Sequence, residues 1–230
     1  MLVLPEDFTV YFNATVYQQA GMQGAQENHG AKPTFPQPGL LASLLSCALI
    51  RVTIDAVPLL VRSAGVKNYL YYWTRQLRQE SHGVDTARKF RIRLFPFLDE
   101  ASWLNHEGSV ANPITTRMRL GMLFLLNRFP NDISGWMDPD VDLFHTCKLL
   151  NPPRRAKLTA TVHDLTCWLL PETHSPANVA ADKLFAERIL KRADALIAVS
   201  EATRSDAVRI LNLPPEKIRV IHHGIADPFF

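Results

Sequence analysis

Cysteine is scarce in this 230-residue chain, and its three positions fit no known framework. Cys47, Cys147 and Cys167 are too few and too irregularly spaced for a disulfide scaffold or for paired CxxC zinc ligands. Pairs such as His145 with Cys147 and His163 with Cys167 also lack a recognised metal-binding spacing. The sequence therefore predicts no metal site and favours a reducing compartment.

Long apolar runs are also missing. The most apolar uncharged stretch, residues 39–50, contains Ser43 and Ser46 and falls short of the roughly 18 apolar residues that span a bilayer. It starts too late, and follows too polar a segment, to be a secretory leader. We therefore expect a cytoplasmic protein, and peripheral contact with the inner face of the membrane stays open.

Glycine is thinly spread, and this excludes several nucleotide-binding motifs. No GxGxxG follows a strand pattern and no GxxxxGK[ST] occurs, which disfavours a dehydrogenase-like nucleotide binder; a GxSxG elbow is absent as well. The net charge is only +3, and the tightest basic group, Arg154, Arg155 and Lys157, is typical of a solvated turn. We expect no nucleic-acid partner.

The chain divides by composition into an extension and one lobe. Residues 1–38 mix Gln, Gly, Asn and Pro without a sustained period, so we expect residues 1–48 to be disordered or loosely packed. This extension is either a partner-binding arm or the product of a start codon placed too far upstream. Residues 49–230 are long enough for one sizeable core.

In residues 49–230, short apolar runs alternate with helical patterns, which predicts an α/β fold with a parallel sheet flanked by helices. The run at 195–199 lacks alternation, as expected of a strand covered on both faces. Strands are predicted at 49–54, 91–95, 141–145, 158–162, 195–199 and 218–221, and helices at about 66–77, 115–127, 177–193 and 201–211.

Helical spacing predicts which side chains face the sheet. Ser200 is placed to cap the last helix. Lys67 is expected to point away from the core. The residues expected to be buried are Val66, Tyr69, Leu70, Trp73 and Leu77 on the first helix and Met118, Met122, Leu125 and Leu126 on the second.

Polar residues follow the predicted strands at their carboxyl ends. His163 and Asp164 come directly after the strand at 158–162, and His222 and His223 follow the last strand. Ligands of open parallel sheets bind in the crevice beyond the carboxyl ends of the strands. His163 is therefore the leading candidate for a site residue.

Six segments, taken in order, resemble the amino-terminal lobe of the family-four glycosyltransferases, which are retaining enzymes with the Rossmann-like GT-B fold. The resemblance runs from about residue 49 to the end, and its strength lies in the joint order of the motifs. The segments are IDAVPLL (54–60), GVKNYLYYWTRQL (65–77), DLFHTC (142–147), TVHDLT (161–166), RADALIAVSEATR (192–204) and PPEKIRVIHHGI (214–225).

The resemblance implies roles for individual residues. Gly65 matches the glycine whose backbone approaches the donor phosphate, and His163 matches the histidine that contacts the donor sugar. Asp164 is expected to orient His163 or to cap a turn. Arg62 and Lys67 flank the first loop and are candidates for binding an anionic acceptor or phosphate. No cofactor or metal is implied, because the nucleotide-sugar is a co-substrate.

The resemblance also implies a second, carboxyl-terminal donor lobe, of which the sequence shows no trace. We therefore expect this chain to be the amino-terminal half of an enzyme that transfers a hexose to a glycan or lipid-linked acceptor, inactive alone. Its expected partner is a donor lobe, in cis or as a separate chain. The alternative is a non-catalytic binding or regulatory module that keeps the lobe fold.

Overall fold

The computed structural model describes residues 49–60, 65–81, 90–95, 113–128 and 132–224. Six strands form one parallel sheet in the order β2-β1-β3-β4-β5-β6. The predicted α/β class with a parallel sheet is confirmed, whereas the predicted extension at 1–48 lies outside the described residues. The strands are β1 Ile50–Asp55, β2 Phe90–Phe95, β3 Leu143–Thr146, β4 Lys157–Val162, β5 Ala195–Ala198 and β6 Ile218–Val220.

Six helices accompany these strands in the described part of the chain. They are α1 Gly65–Ser81, α2 Pro113–Arg128, α3 Ile133–Met137, α4 Thr166–Leu169, α5 Pro176–Phe185, which continues as a π-helical turn at Ala186–Leu190, and α6 Glu201–Leu211. The predicted cap is confirmed, because the Ser200 hydroxyl accepts a bond from the Thr203 N–H at 3.0 Å. None of these helices is both long and apolar enough to cross a membrane.

Two apolar layers cover the sheet, one on each face. Leu143 packs with Ile54 and Leu70 on the side of α1, whereas Phe144, the next residue of β3, packs on the opposite side with Ile189 and Leu196. Successive residues of a strand point to opposite faces, so β3 must be apolar at both positions. The resulting rigid sheet holds the loops at its carboxyl edge.

The buried face of α1 is rotated from the predicted one. Lys67 was expected to point away from the core but is only 6% exposed, in line with the buried Leu70, Thr74 and Leu77. These residues recur at the spacing of one helical face. Tyr69 and Trp73, which lie beside this stripe, are only partly buried and face the carboxyl edge of the sheet.

The predicted face of α2 is wrong for two residues. Met118 and Leu125 are 70% and 62% exposed, whereas Leu123 and Leu126 are buried. Five successive residues, 122–126, are apolar, so the periodicity does not select one face of this helix. Local periodicity therefore could not identify which face of α2 is buried.

Candidate functional site

The residues at the carboxyl ends of the strands come together at one edge of the sheet. Asp55 ends β1, Thr146 ends β3, His163 directly follows β4 and His223 lies beyond β6. This is the edge at which open parallel sheets bind their ligands.

A buried carboxylate, that of Asp55, anchors this edge. Its Oδ1 accepts a hydrogen bond from the Val57 N–H at 3.1 Å. In the turn after β3, Oδ2 accepts from the backbone N–H groups of Cys147, Lys148 and Leu149 at 3.0, 2.5 and 2.7 Å. One carboxylate therefore fixes both the turn after β1 and the turn after β3.

His163 presents a half-buried imidazole at the end of β4. Its ring meets Tyr69 edge-on, with centroids 5.0 Å apart and planes at 80°. The Thr203 hydroxyl donates to the His163 carbonyl at 3.4 Å and ties this loop to α6. Burial, assisted by His223, lowers the pKa of His163 to about 4, although Asp164 acts in the opposite direction. The neutral ring can both donate and accept a hydrogen bond at pH 7.

A chain of polar side chains runs beneath His163. The His145 ring is 2% exposed and lies between two β4 hydroxyls, with Nδ1 3.0 Å from Thr159 Oγ1 and Nε2 3.3 Å from Thr161 Oγ1. The Thr161 hydroxyl also lies 3.4 Å from the Tyr69 hydroxyl. Burial and the nearby His163 lower the pKa of His145 to about 3, so this chain is uncharged.

A second imidazole, that of His223, joins the site from the loop after β6. It stacks on Tyr69 with ring centroids 4.5 Å apart and planes at 25°. Its centroid lies 5.5 Å from that of His163. His223 is an exposed residue overall, but partial desolvation of its ring lowers its pKa. The neutral imidazoles of His163 and His223 thus both contact the ring of Tyr69.

A cavity of about 330 Å³ lies beside His163. This is at the lower end of the range for small-molecule pockets. Trp168 supplies an aromatic wall, and Lys148, Asp164 and Asp182 supply charged groups of both signs. The cavity is large enough for a small ligand, and these polar groups interrupt a mainly apolar wall.

Neither of the two described cysteines offers a reactive thiolate. Cys167 Sγ donates to Asp182 Oδ2 at 2.9 Å, and burial together with this carboxylate raises the pKa of the thiol to about 11. Burial also raises the pKa of Cys147. Neither thiol forms the reactive thiolate at neutral pH. Within the described ranges no group of three His, Cys, Asp or Glu side chains converges as metal ligands.

Comparison with protein families decides what kind of lobe carries this site. Residues 63–227 match the model of the family described as Glycosyltransferase Family 4, and the match covers most of the chain. The chain belongs to glycosyltransferase family 4. The structure is that of the family's amino-terminal lobe, as the resemblance of the sequence segments indicated. A comparison with curated proteins gives no significant match.

The first loop of the glycosyltransferase lobe is described only in part. Gly65 begins α1, and a Cβ atom at this position would meet no atom of the described residues within 4 Å, so their packing does not require glycine here. Burial lowers the pKa of Lys67. Arg62 lies outside the described residues. The phosphate contact of Gly65 and the acceptor contacts of Arg62 and Lys67 remain predictions.

Asp164 acts within its own turn. Its Oδ1 accepts from the Thr166 N–H at 2.9 Å and from the Thr166 hydroxyl at 2.6 Å. Of the two roles expected for Asp164, the structure displays the turn cap, because the carboxylate lies next to Thr166 and before α4. It also reaches the cavity wall beside His163.

Three site residues received no ligand-binding role from the sequence, although His223 was noted after the last strand and His145 was weighed as a metal ligand. Asp55 ends β1, His145 is the penultimate residue of β3 and His223 lies beyond β6, and this position near the strand ends was the available signal. Tyr69 was expected only as a core residue of α1. Its central place follows from contacts between residues far apart in the chain, which no local pattern reveals.

Proposed function

We propose that this lobe binds the acceptor in a nucleotide-sugar-dependent glycosyltransferase and that His163 contacts the transferred hexose. The observation that carries the proposal is the position of His163, at the carboxyl end of β4 and on the wall of a cavity in a family-4 lobe. A neutral imidazole suits the uncharged hydroxyl groups of a sugar. The proposed acceptor is a glycan or a lipid-linked glycan.

In the proposed reaction the bond between the anomeric carbon and the diphosphate breaks with retention. The acceptor hydroxyl oxygen bonds to that carbon, and its proton leaves with the nucleoside diphosphate. Among the described residues that line the cavity, Lys148 is the sole cation. We therefore propose that a carboxyl-terminal donor lobe, in the same polypeptide or as a separate chain, holds the diphosphate. Without that donor lobe, the amino-terminal lobe described here is inactive.

A transfer assay tests the proposal. The chain is incubated with radiolabelled UDP-glucose or GDP-mannose and a mixture of glycan and lipid-linked acceptors, alone and joined to a family-4 donor lobe. We expect transfer only in the joined form, because the sugar must be held in place against the acceptor. In that form His163→Ala should lower kcat/KM about 100-fold, as expected for a lost transition-state contact.

His222→Ala is the matched control, since His222 is an exposed histidine of the same lobe and should leave kcat/KM unchanged. Equal activity in the His163→Ala and native forms would remove His163 from the site. Ligand binding without transfer in every joined form would instead favour the non-catalytic binding or regulatory module.

A further inference from the structure

The imidazole of His223 reaches the site from the edge of the sheet. Strand β5 lies between β6 and β4, and neighbouring strands are about 4.8 Å apart. The segment first stays paired with β5, through the Ile221 N–H bond to the Ala198 carbonyl at 2.9 Å. It then turns inward, so that His223 lies beside His163, the residue that follows β4. Adjacency along the sheet alone would not bring these two rings together.

Tyr69 is the shared support of both imidazoles. His223 stacks on the ring, and His163 meets it edge-on. Trp73, one helical turn further along α1, stacks on Tyr69 with centroids 5.5 Å apart and planes at 14°. The Tyr69 hydroxyl lies against Thr161, which in turn contacts His145. A ring held from this many sides defines where both imidazoles can lie.

The ring nitrogens of both histidines remain available for a ligand. No hydrogen bond joins a ring nitrogen of His163 or His223 to any residue in the described part of the chain. Each neutral imidazole offers one donor and one acceptor. A sugar hydroxyl also donates and accepts, whereas a phosphate oxygen at neutral pH mainly accepts. The pair therefore matches a hydroxylated ring better than a diphosphate.

We propose that His223 is a second sugar-contacting residue of the site, and that Tyr69 is the positioning residue that aims His163 and His223 at one hexose. The inference rests on the proposed function, since it takes the donor sugar to lie at His163. Hydroxyl groups are also present in an acceptor glycan, so the probes must separate a nucleotide-sugar from a free glycan.

Imidazole NMR of the labelled chain provides the test. The Cε1–Hε1 signals of His163 and His223 are assigned from the variants His163→Gln and His223→Gln. The labelled chain, joined to a family-4 donor lobe, is titrated to millimolar concentrations of UDP-glucose, GDP-mannose, UDP, GDP and maltose. We expect both signals to shift with a nucleotide-sugar and to stay in place with UDP or GDP, while the signal of the exposed His222 does not move.

The outcomes separate the inference from the proposed function. If only the His163 signal shifts with a nucleotide-sugar, the proposed function stands and the role of His223 is overturned. If neither signal shifts with any probe, both are overturned. Shifts of both signals with maltose alone would keep the paired sugar contact but assign it to the acceptor, which overturns the donor assignment.

Variants of Tyr69 and His223 test the pair in the joined enzyme. Ring currents of Tyr69 should shift the His223 Hε1 signal upfield, and Tyr69→Leu should abolish that shift, whereas Tyr69→Phe keeps it. His223→Gln should lower kcat/KM for the nucleotide-sugar about fivefold, the effect of one neutral hydrogen bond, and His222→Gln should leave it unchanged. Should Tyr69→Leu fail to fold, Tyr69→Phe and His223→Gln still test whether His223 stacks on Tyr69 and contacts the sugar. Unchanged kcat/KM in His223→Gln would contradict the inference.

Discussion

Replacing Asp55 with alanine should lower the unfolding free energy of the lobe by about 4 kcal/mol. The carboxylate is completely buried and accepts bonds from four backbone N–H groups in two turns. Alanine leaves these donors without their partner, and a buried unsatisfied donor costs about 1–3 kcal/mol. Because water can reach part of the loop after β3, the losses should not add in full.

Urea unfolding followed by circular dichroism measures this effect. Asp140→Ala is the matched control, because its side chain is 73% exposed and pairs with Arg51 at the surface, where removing a carboxylate costs about 1 kcal/mol or less. Asp55→Asn should lose an amount of unfolding free energy between those of Asp55→Ala and Asp140→Ala. Its amide oxygen can accept hydrogen bonds in one turn, whereas its NH₂ group, a donor, faces the N–H groups of the other turn and cannot accept from them. Equal losses for Asp55→Ala and Asp140→Ala would show that Asp55 is no anchor.

Acid should weaken the lobe well above the pH at which carboxylates titrate. Burial lowers the pKa of His145 to about 3 and that of His163 to about 4. An unfolded histidine titrates near pH 6.5, so between pH 6.5 and 4 the unfolded chain binds more protons than the folded lobe. The stability is therefore complete above pH 6.5 and is lost as the pH falls toward the folded pKa values.

The expected loss between pH 7 and pH 5 is about 2 kcal/mol for His145 and somewhat less for the partly exposed His163. Urea midpoints at several pH values measure it. His145→Gln should be less stable at pH 7, because it disrupts the packing on Trp73, but should lose about 2 kcal/mol less on acidification. If the stability of His145→Gln and that of the native lobe depended on pH in the same way, His145 would not be the source of the acid-dependent loss of stability.

The sequence predicted those features of the fold that depend on local patterns. Most strands of the sheet leave a short stretch rich in apolar and β-branched residues, and the position of His163 follows once the stretch at 158–162 is recognised as a strand. The face of α2 could not be predicted, because residues 122–126 are apolar on every side. The burial of Lys67 was missed because a lysine at the start of a helix is usually solvated.

The candidate site was predictable only in outline. The strand-end rule places His163 and Asp164 at the carboxyl edge, but it does not say that Asp164 turns toward Thr166. Tyr69 lies on α1, His163 in the loop after β4 and His223 in the loop after β6, so their contacts arise only once the chain has folded. Such contacts have no local signature, so the shared tyrosine could emerge only from the structure.

A crystal structure of the lobe joined to a donor lobe, with a nucleotide-sugar bound, tests the central claim most directly. We predict that a hydroxyl group of the hexose lies about 2.7–3.2 Å from a ring nitrogen of His163, the distance of a hydrogen bond. A hexose bound elsewhere, with the His163 imidazole turned away from it, would contradict the claim.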